Sequence, residues 1–213
     1  MSLIPINISF KYNSFVWLPM KTASTHCWGV LQNFDFKTVM FSTDTEEFQK
    51  PSVGGIRKEK IKNPHNHACN LFLNHKNFTF ISTARNPYSR IISSFVFLNK
   101  PEKYENSEWL EGQFQLSILN SQSLYPFIFN HRTPDYFLRV ESLYDDYLKI
   151  PFIRNSELNI SGKLKEMCDK KVNVTKGPYD WRDYYNQDLA DLVYYNLSKY
   201  FDLLGYDKDS WKK

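Results

Sequence analysis

Residues 77–98 read NFTFISTARNPYSRIISSFVFL, and this stretch decides the fold. Residues 77–84 are rich in β-branched and aromatic side chains, which predicts a buried strand. Asn86 and Pro87 then offer a helix N-cap followed by proline at the first helical position. Isoleucine, phenylalanine and leucine recur at helical spacing after this turn, so the stretch predicts a strand that leads directly into a helix.

Similar patterns on both sides predict further strands and helices. We predict strands at 14–18, 35–41 and 136–140, a helix capped by Ser24 and Thr25, and a C-terminal helix from Asn186 to Gly205. Residues 43–77 are polar and contain proline and histidine, which predicts a long irregular connection with short helical pieces. Because strands alternate with helices, we expect one α/β domain over residues 1–213, with a central parallel sheet between two layers of helices.

The composition restricts the classes of protein to which the chain can belong. Its 213 residues are 42% hydrophobic and 23% charged, with 7 glycines and 10 prolines, which excludes a mainly disordered or collagen-like chain. The net charge of +4 is too small for a general nucleic-acid binder and fits a small anionic ligand. No membrane-length apolar run and no signal-peptide pattern occur, so we expect a cytoplasmic protein without membrane or nucleic-acid partners. The missing anchor fits a bacterial or viral origin or a domain trimmed from a Golgi protein, and a chain that begins at Met1 favours the former.

A polar turn after the strand at 14–18 has the donors that a phosphate or sulfate group needs. Residues 19–26 read PMKTASTH and combine a lysine, hydroxyl side chains and the backbone N–H groups of a helix start. Fixed N–H donors together with a mobile cation bind anions. G-x-x-x-x-G-K-[ST] is absent, so an ordinary ATP or GTP loop is disfavoured. The candidate binding residues are Lys21, Thr22, Ala23, Ser24, Thr25 and His26.

The turn inside residues 77–98 is a second candidate anion site. Arg85 leaves the end of the strand, and Ser93 lies two turns into the helix that follows. A guanidinium and a hydroxyl on this edge can hold a second phosphate. Ligands of an open parallel sheet bind outside the carboxyl ends of its strands, so we expect the two turns to lie close together.

Together the two turns resemble the paired signature of the PAPS-dependent sulfotransferases, most of all the carbohydrate sulfotransferases. In that family a P-K-T-A-S-T element binds the 5′-phosphosulfate of the donor, and an R-D-P-x-x-R-x-x-S element binds its 3′-phosphate. Residues 184–188 and 201–206 also resemble the family's closing helix and its D-F-x-x-F-G-Y ending. The resemblance covers nearly the whole chain and implies a P-loop NTPase-like fold, PAPS as co-substrate and no metal ion.

The resemblance also implies roles for individual residues. The sulfuryl group would move in line from PAPS to an acceptor hydroxyl, expected to be that of a carbohydrate, and Lys21 would lie near the bridging oxygen as its charge grows. Lys176 would belong to a loop that closes over the nucleotide. Asn86 replaces the family's aspartate and should cap its helix equally well. Glu141, in a segment similar to the family's Y-x-x-x-E-x-L, is expected to orient the structure rather than react.

The acceptor hydroxyl needs a general base, and a histidine suits that task near neutral pH. His65-Asn66-His67 resembles the H-x-H segment of heparan sulfate and uronyl 2-O-sulfotransferases, in which a histidine is the base. We favour His67 as the base, with His65 as the residue that orients the acceptor. His26 is the rival candidate because it adjoins the donor loop.

Two other functions remain open from the sequence. A small-molecule or nucleoside kinase on a related fold would need an ATP loop and Mg²⁺ ligands. A nonenzymatic protein that binds PAPS or another nucleotide would keep the two turns and lack a working acceptor site. The acceptor and the oligomeric state are not readable, because residues 43–77 and 100–133, which would form the pocket walls, follow no recognisable code.

Overall fold

In the part of the chain that the structure describes, seven strands form one mixed sheet, around which the helices are arranged. The computed structural model describes residues 3–19, 21–42, 47–52, 55–60, 76–99, 107–119, 132–170 and 180–212. The strands are β1 (Leu3–Ser9), β2 (Ser14–Trp17), β3 (Lys37–Ser42), β4 (Glu47–Ser52), β5 (Gly55–Lys60), β6 (Thr79–Ala84) and β7 (Tyr136–Arg139). Their order across the sheet is β5-β4-β3-β1-β2-β6-β7.

The helices of the described ranges follow the strands along the chain. They are α1 (Ser24–Leu31), α2 (Pro87–Asn99), α3 (Ser107–Leu119), α4 (Leu143–Leu148), α5 (Pro151–Arg154), α6 (Glu157–Ile160), α7 (Lys163–Asp169) and α8 (Gln187–Leu204), with 3-10 helices at Val140–Ser142 and Trp181–Tyr184. None of these helices combines the length and apolar character needed to cross a bilayer. The strand-to-helix turn predicted within residues 77–98 is confirmed by β6 and α2.

Only the last three strands in this order are parallel to one another. β2, β6 and β7 are parallel, with Trp17 beside Ser82 and Ala84 beside Arg139, so their carboxyl ends lie at one edge. The other pairings, from β2 through β1, β3 and β4 to β5, are all antiparallel. The prediction of a central parallel sheet is therefore correct for three strands and wrong for the others.

Three described strands, β1, β4 and β5, were not predicted from the sequence. β1 and β2 form a hairpin across residues 10–13, and only antiparallel strands can be joined by so short a turn. Within the predicted irregular connection at 43–77, residues 47–52 and 55–60 pair as β4 and β5. Backbone pairing with a neighbouring strand stabilises these polar segments without an apolar signature in their sequence.

Alternate residues of the strands face two hydrophobic cores, one on each side of the sheet. In β2, Phe15 and Trp17 belong to the first core and Val16 to the second. The first core also contains buried residues of α2, α3 and α8, and the second contains those of α1, α4, α5 and α7. Each fully buried large apolar side chain stabilises the fold by roughly 1.5–3 kcal/mol. The chain is thus a mixed α/β protein with helices on both faces of its sheet.

Three helix ends confirm their sequence-based predictions. The Oδ1 atom of Asn86 accepts a hydrogen bond from the backbone N–H of Tyr88 at 3.0 Å, so asparagine caps α2 as expected. Asn186 caps α8 by accepting a bond from the N–H of Leu189, and Gly205 ends that helix with a φ of 71°. A left-handed residue is the usual way to end a helix, and glycine adopts it without steric cost.

Candidate anion-binding site

The loop between β2 and α1 contains two residues in an unusual backbone conformation. Lys21 has a φ of 63° and Ala23 a φ of 56°, both in the left-handed region. This region costs a residue other than glycine roughly 1–2 kcal/mol. Such strain persists where the surrounding structure enforces it, and it is common at binding sites.

Buried Thr22 holds this loop against the neighbouring strand. Its Oγ1 atom donates to the carbonyl of Pro19 at 2.6 Å and lies 2.5 Å from Oγ1 of Thr83 at the end of β6. Because a hydroxyl has a single hydrogen, Thr83 is the donor of the second bond. The hydroxyl hydrogen of Thr22 is therefore engaged within the protein, and a role for Thr22 in anion binding would come through its backbone N–H.

The first turn of α1 begins without a side-chain cap. Ala23 is the N-cap residue, so the prediction that Ser24 and Thr25 cap this helix is wrong. The left-handed conformation at Ala23 moves the helix start ahead of both hydroxyl residues. The first helical hydrogen bond runs from the N–H of Cys27 to the carbonyl of Ala23, and the first turn contains no acidic residue. The earlier N–H groups and the positive end of the helix dipole thus suit an anion.

Replacing Ala23 with glycine is expected to raise the free energy of unfolding by about 1 kcal/mol, because glycine relieves the left-handed strain. Urea denaturation of the two proteins measures this difference. Ala190→Gly is the control, because Ala190 lies inside α8 and glycine there should be destabilising. An Ala23→Gly protein less stable than the wild type would contradict the strained conformation.

Arg85 joins the second turn to the first. Its Nη1 atom donates to the backbone carbonyl of Lys21 at 3.4 Å, and its Nε donates to Oγ of Ser89 at 2.7 Å. The guanidinium therefore spans from the start of α2 to the loop before α1. The two turns that the sequence predicted separately meet through this side chain.

The positive charges of Lys21 and Arg85 act on each other. Burial lowers the pKa of Lys21 below its ordinary value, and the positive charge of Arg85 lowers it further. No carboxylate of the described residues forms an ion pair with Lys21. The Nζ atom instead lies over the ring of Phe97 in α2, 4.0 Å from its centroid. Two adjacent cations of this kind favour binding of an anion, which would offset their repulsion.

Glu141 fixes the backbone of the second turn. Its Oε1 accepts the backbone N–H of Asn86 at 3.0 Å, and its Oε2 accepts the hydroxyl of Tyr206 at 2.7 Å. Both carboxylate oxygens therefore hold protein groups in place. The expectation that Glu141 orients the structure is confirmed by these bonds.

Residues 205–212, which we call the C-terminal segment, pack against the same turn. The Nδ2 atom of Asn86 donates to Oγ of Ser210 at 2.8 Å, and the hydroxyl of Tyr88 donates to the carbonyl of Lys208 at 2.6 Å. The hydroxyl of Tyr185 donates in turn to the carbonyl of Tyr88 at 2.9 Å. The start of α2 is thus held from several directions.

His26 lies in the first turn of α1, beside the loop. Its ring is half-buried, and its Nε2 atom is buried without a hydrogen-bond partner among the described residues. Burial lowers the pKa of the imidazole below its ordinary value, so the ring is mainly neutral near pH 7. A neutral imidazole with an unpartnered nitrogen can accept a proton.

The remaining predicted residues divide into one that is described and three that are not. Ser93 is buried on α2 one turn beyond Ser89, and no described hydrogen bond joins it to Arg85. His65, His67 and Lys176 lie outside the described residues. Their proposed roles stay predictions.

Three neighbours of the site escaped sequence reasoning: Thr83, Ser89 and Phe97. Thr83 resembles any other β-branched strand residue, and Phe97 resembles a helical core residue. Ser89 had a detectable signal, because it occupies the first turn of a helix immediately after a candidate arginine. Comparisons of the chain with protein-family models, curated proteins and solved structures find no match.

Proposed function

We propose that this chain is a PAPS-dependent sulfotransferase with a P-loop NTPase-like fold that acts on an acceptor hydroxyl of a carbohydrate. The observation that carries the proposal is the bond from the Arg85 guanidinium to the carbonyl of Lys21. It connects the two elements whose sequences resemble the 5′-phosphosulfate and 3′-phosphate elements of that family. A donor with anionic groups at both ends fits two linked cationic turns.

In this proposal the start of α1 binds the 5′-phosphosulfate. The N–H groups of Ser24, Thr25 and His26 are its donors, since they precede the first helical hydrogen bond. Arg85 binds the 3′-phosphate, with Ser93 as a further donor. Ser89 orients the guanidinium through its Nε, and the Nη1 atom binds the loop before α1.

The proposed reaction is an in-line displacement at sulfur. The acceptor oxygen forms a bond to sulfur while the bond from sulfur to the bridging oxygen breaks, and 3′,5′-ADP leaves with the electron pair. Negative charge grows on the bridging oxygen, where the Lys21 ammonium stabilises it. The acceptor proton passes to a base, for which His67 and His26 are the candidates, with His65 orienting the acceptor.

The first test is ligand-induced thermal stabilisation. At a concentration one hundred times its dissociation constant, 3′,5′-ADP should stabilise the protein by about 2.7 kcal/mol, which corresponds to roughly 5–10 °C in Tm for a chain of this size. ATP with Mg²⁺ should have little effect, because the loop is expected to distinguish the two nucleotides. Differential scanning fluorimetry measures both responses.

The alternatives give different results in the same experiment. Stabilisation by ATP with Mg²⁺ but not by 3′,5′-ADP would indicate a kinase and contradict the proposal. Stabilisation by 3′,5′-ADP without turnover of PAPS across a panel of carbohydrate acceptors would indicate a nonenzymatic nucleotide-binding protein. Product formation, followed as transfer of ³⁵S from labelled PAPS to a carbohydrate, supports the enzyme.

A further inference from the structure

Phe97 lies on the side of α2 that carries the residues of the second turn. Ser89, Ser93 and Phe97 are spaced four residues apart, so they lie along one face of this helix. Ser89 binds Arg85 near the start of the helix, and the Phe97 ring receives the Lys21 ammonium farther along. This face of α2 therefore contacts both cations of the site.

The Phe97 ring is 57% exposed and does not belong to either hydrophobic core. An exposed phenylalanine contributes little to the stability of a fold, so its position under a functional lysine needs another explanation. The face of an aromatic ring is electron-rich and attracts an ammonium group. The ring thus holds Lys21 in a defined place while the neighbouring Arg85 repels it.

We propose that Phe97 is a positioning residue: its ring binds the Lys21 ammonium when the donor is absent and releases it when an anion occupies the start of α1. This inference rests on the proposed function. A charge-assisted hydrogen bond from an ammonium to a phosphate or sulfate oxygen is stronger than an exposed contact between a cation and a ring. Donor binding therefore transfers Lys21 from the ring to the anion.

The test uses nuclear magnetic resonance of the full chain, with the ε-methylene signal of Lys21 assigned by its loss in Lys21→Arg. In the wild type the ring should shift this signal upfield of the other lysines. Phe97→Leu should abolish the upfield shift, and Phe97→Trp should keep it. Leu98→Ala is the matched control, because Leu98 is the adjacent residue of α2, is 68% exposed and carries no aromatic ring that could shift the signal.

Addition of 3′,5′-ADP to the wild type should move the Lys21 signal back toward the other lysines. Phe97→Leu should also bind 3′,5′-ADP roughly two- to fivefold more tightly by calorimetry, because the competing contact with the ring is gone. A purely structural role for Phe97 would weaken binding instead. Leu98→Ala should bind as the wild type does.

The outcomes separate this inference from the proposed function. If the wild type shows no upfield shift, or if the shift survives in Phe97→Leu, the contact between Lys21 and the Phe97 ring is contradicted. If the shift persists when 3′,5′-ADP is bound, the proposed release of Lys21 from the ring is contradicted. If 3′,5′-ADP does not bind to the wild type, the proposed donor site fails, and the release of Lys21 fails with it. An upfield shift that Phe97→Leu abolishes would still establish the contact between Lys21 and the Phe97 ring.

Discussion

Turnover of PAPS by the Lys21→Ala protein is expected to fall by roughly 10²- to 10³-fold, the scale seen when one donor to a developing negative charge is removed. The affinity for the donor PAPS should change much less. In the ground state Lys21 adds one bond to those of the α1 N–H groups, and its interaction becomes stronger as charge grows on the bridging oxygen in the transition state. Steady-state kinetics and calorimetry on the same preparations measure the two effects separately.

Two variants control this prediction. Lys165→Ala removes the same charge from α7, outside both turns, and should retain wild-type turnover. Lys21→Arg keeps a cation whose pKa is too high to titrate in the working range. Because the pKa of Lys21 is lowered, the wild type should lose turnover at a lower alkaline pH than an ordinary lysine would allow, and any activity of Lys21→Arg should persist to higher pH. An equal loss in turnover and in PAPS affinity for Lys21→Ala would contradict its catalytic role.

The second large effect is expected for Arg85. Arg85→Ala should weaken 3′,5′-ADP binding by about 1.5–3 kcal/mol, or roughly ten- to more than hundredfold, the range for a lost charged hydrogen bond. The variant loses the proposed partner of the 3′-phosphate and the bond to the carbonyl of Lys21. Isothermal titration calorimetry measures the affinity directly.

Replacing Arg85 with lysine tests whether binding depends on the positive charge alone or also on the shape of the guanidinium. Arg85→Lys retains the positive charge but cannot bind Oγ of Ser89 and the carbonyl of Lys21 as the planar guanidinium does. We expect it to recover only part of the lost affinity. Arg154→Ala, an exposed arginine at the end of α5, is the matched control and should bind normally. Wild-type affinity in Arg85→Ala would remove the second anion site from the proposal.

The parts of the fold that depend on local pattern were predictable from the sequence. The strand and helix within residues 77–98 combine an apolar strand with strong capping chemistry, and both formed near the predicted bounds. β1 was missed because Pro5 weakens its strand pattern and because Asn7 is a buried polar residue. Asn7 is accommodated by bonds to the carbonyl of Val16 and to the hydroxyl of Thr38, which only the assembled sheet supplies.

The candidate site also contains residues that the sequence predicted and features that it did not. Lys21 and Arg85 were identified because their residue types and their places after strands are visible in the sequence. The left-handed backbone of Ala23 was not, since no glycine marks it in the sequence, and neither was the bond between Thr22 and Thr83, which joins residues 61 positions apart. The contact of Lys21 with Phe97 is similarly a product of tertiary structure.

The order of the turn that contains Arg85 is coupled to attachment of the C-terminal segment. Its described side-chain links to the turn and to Glu141 are the bonds of Asn86, Tyr88 and Tyr206, whereas α8 before it is anchored by a row of buried apolar residues. Tyr206 and Trp211 pack against the first core, but no residue of the segment is fully buried, and segments with few buried apolar contacts open at lower free energy than the core does. Every molecule with the segment detached would have a less ordered turn, so the apparent affinity for an anion is the intrinsic affinity multiplied by the attached fraction. Residues that never touch the ligand can thus set how much ligand the protein needs.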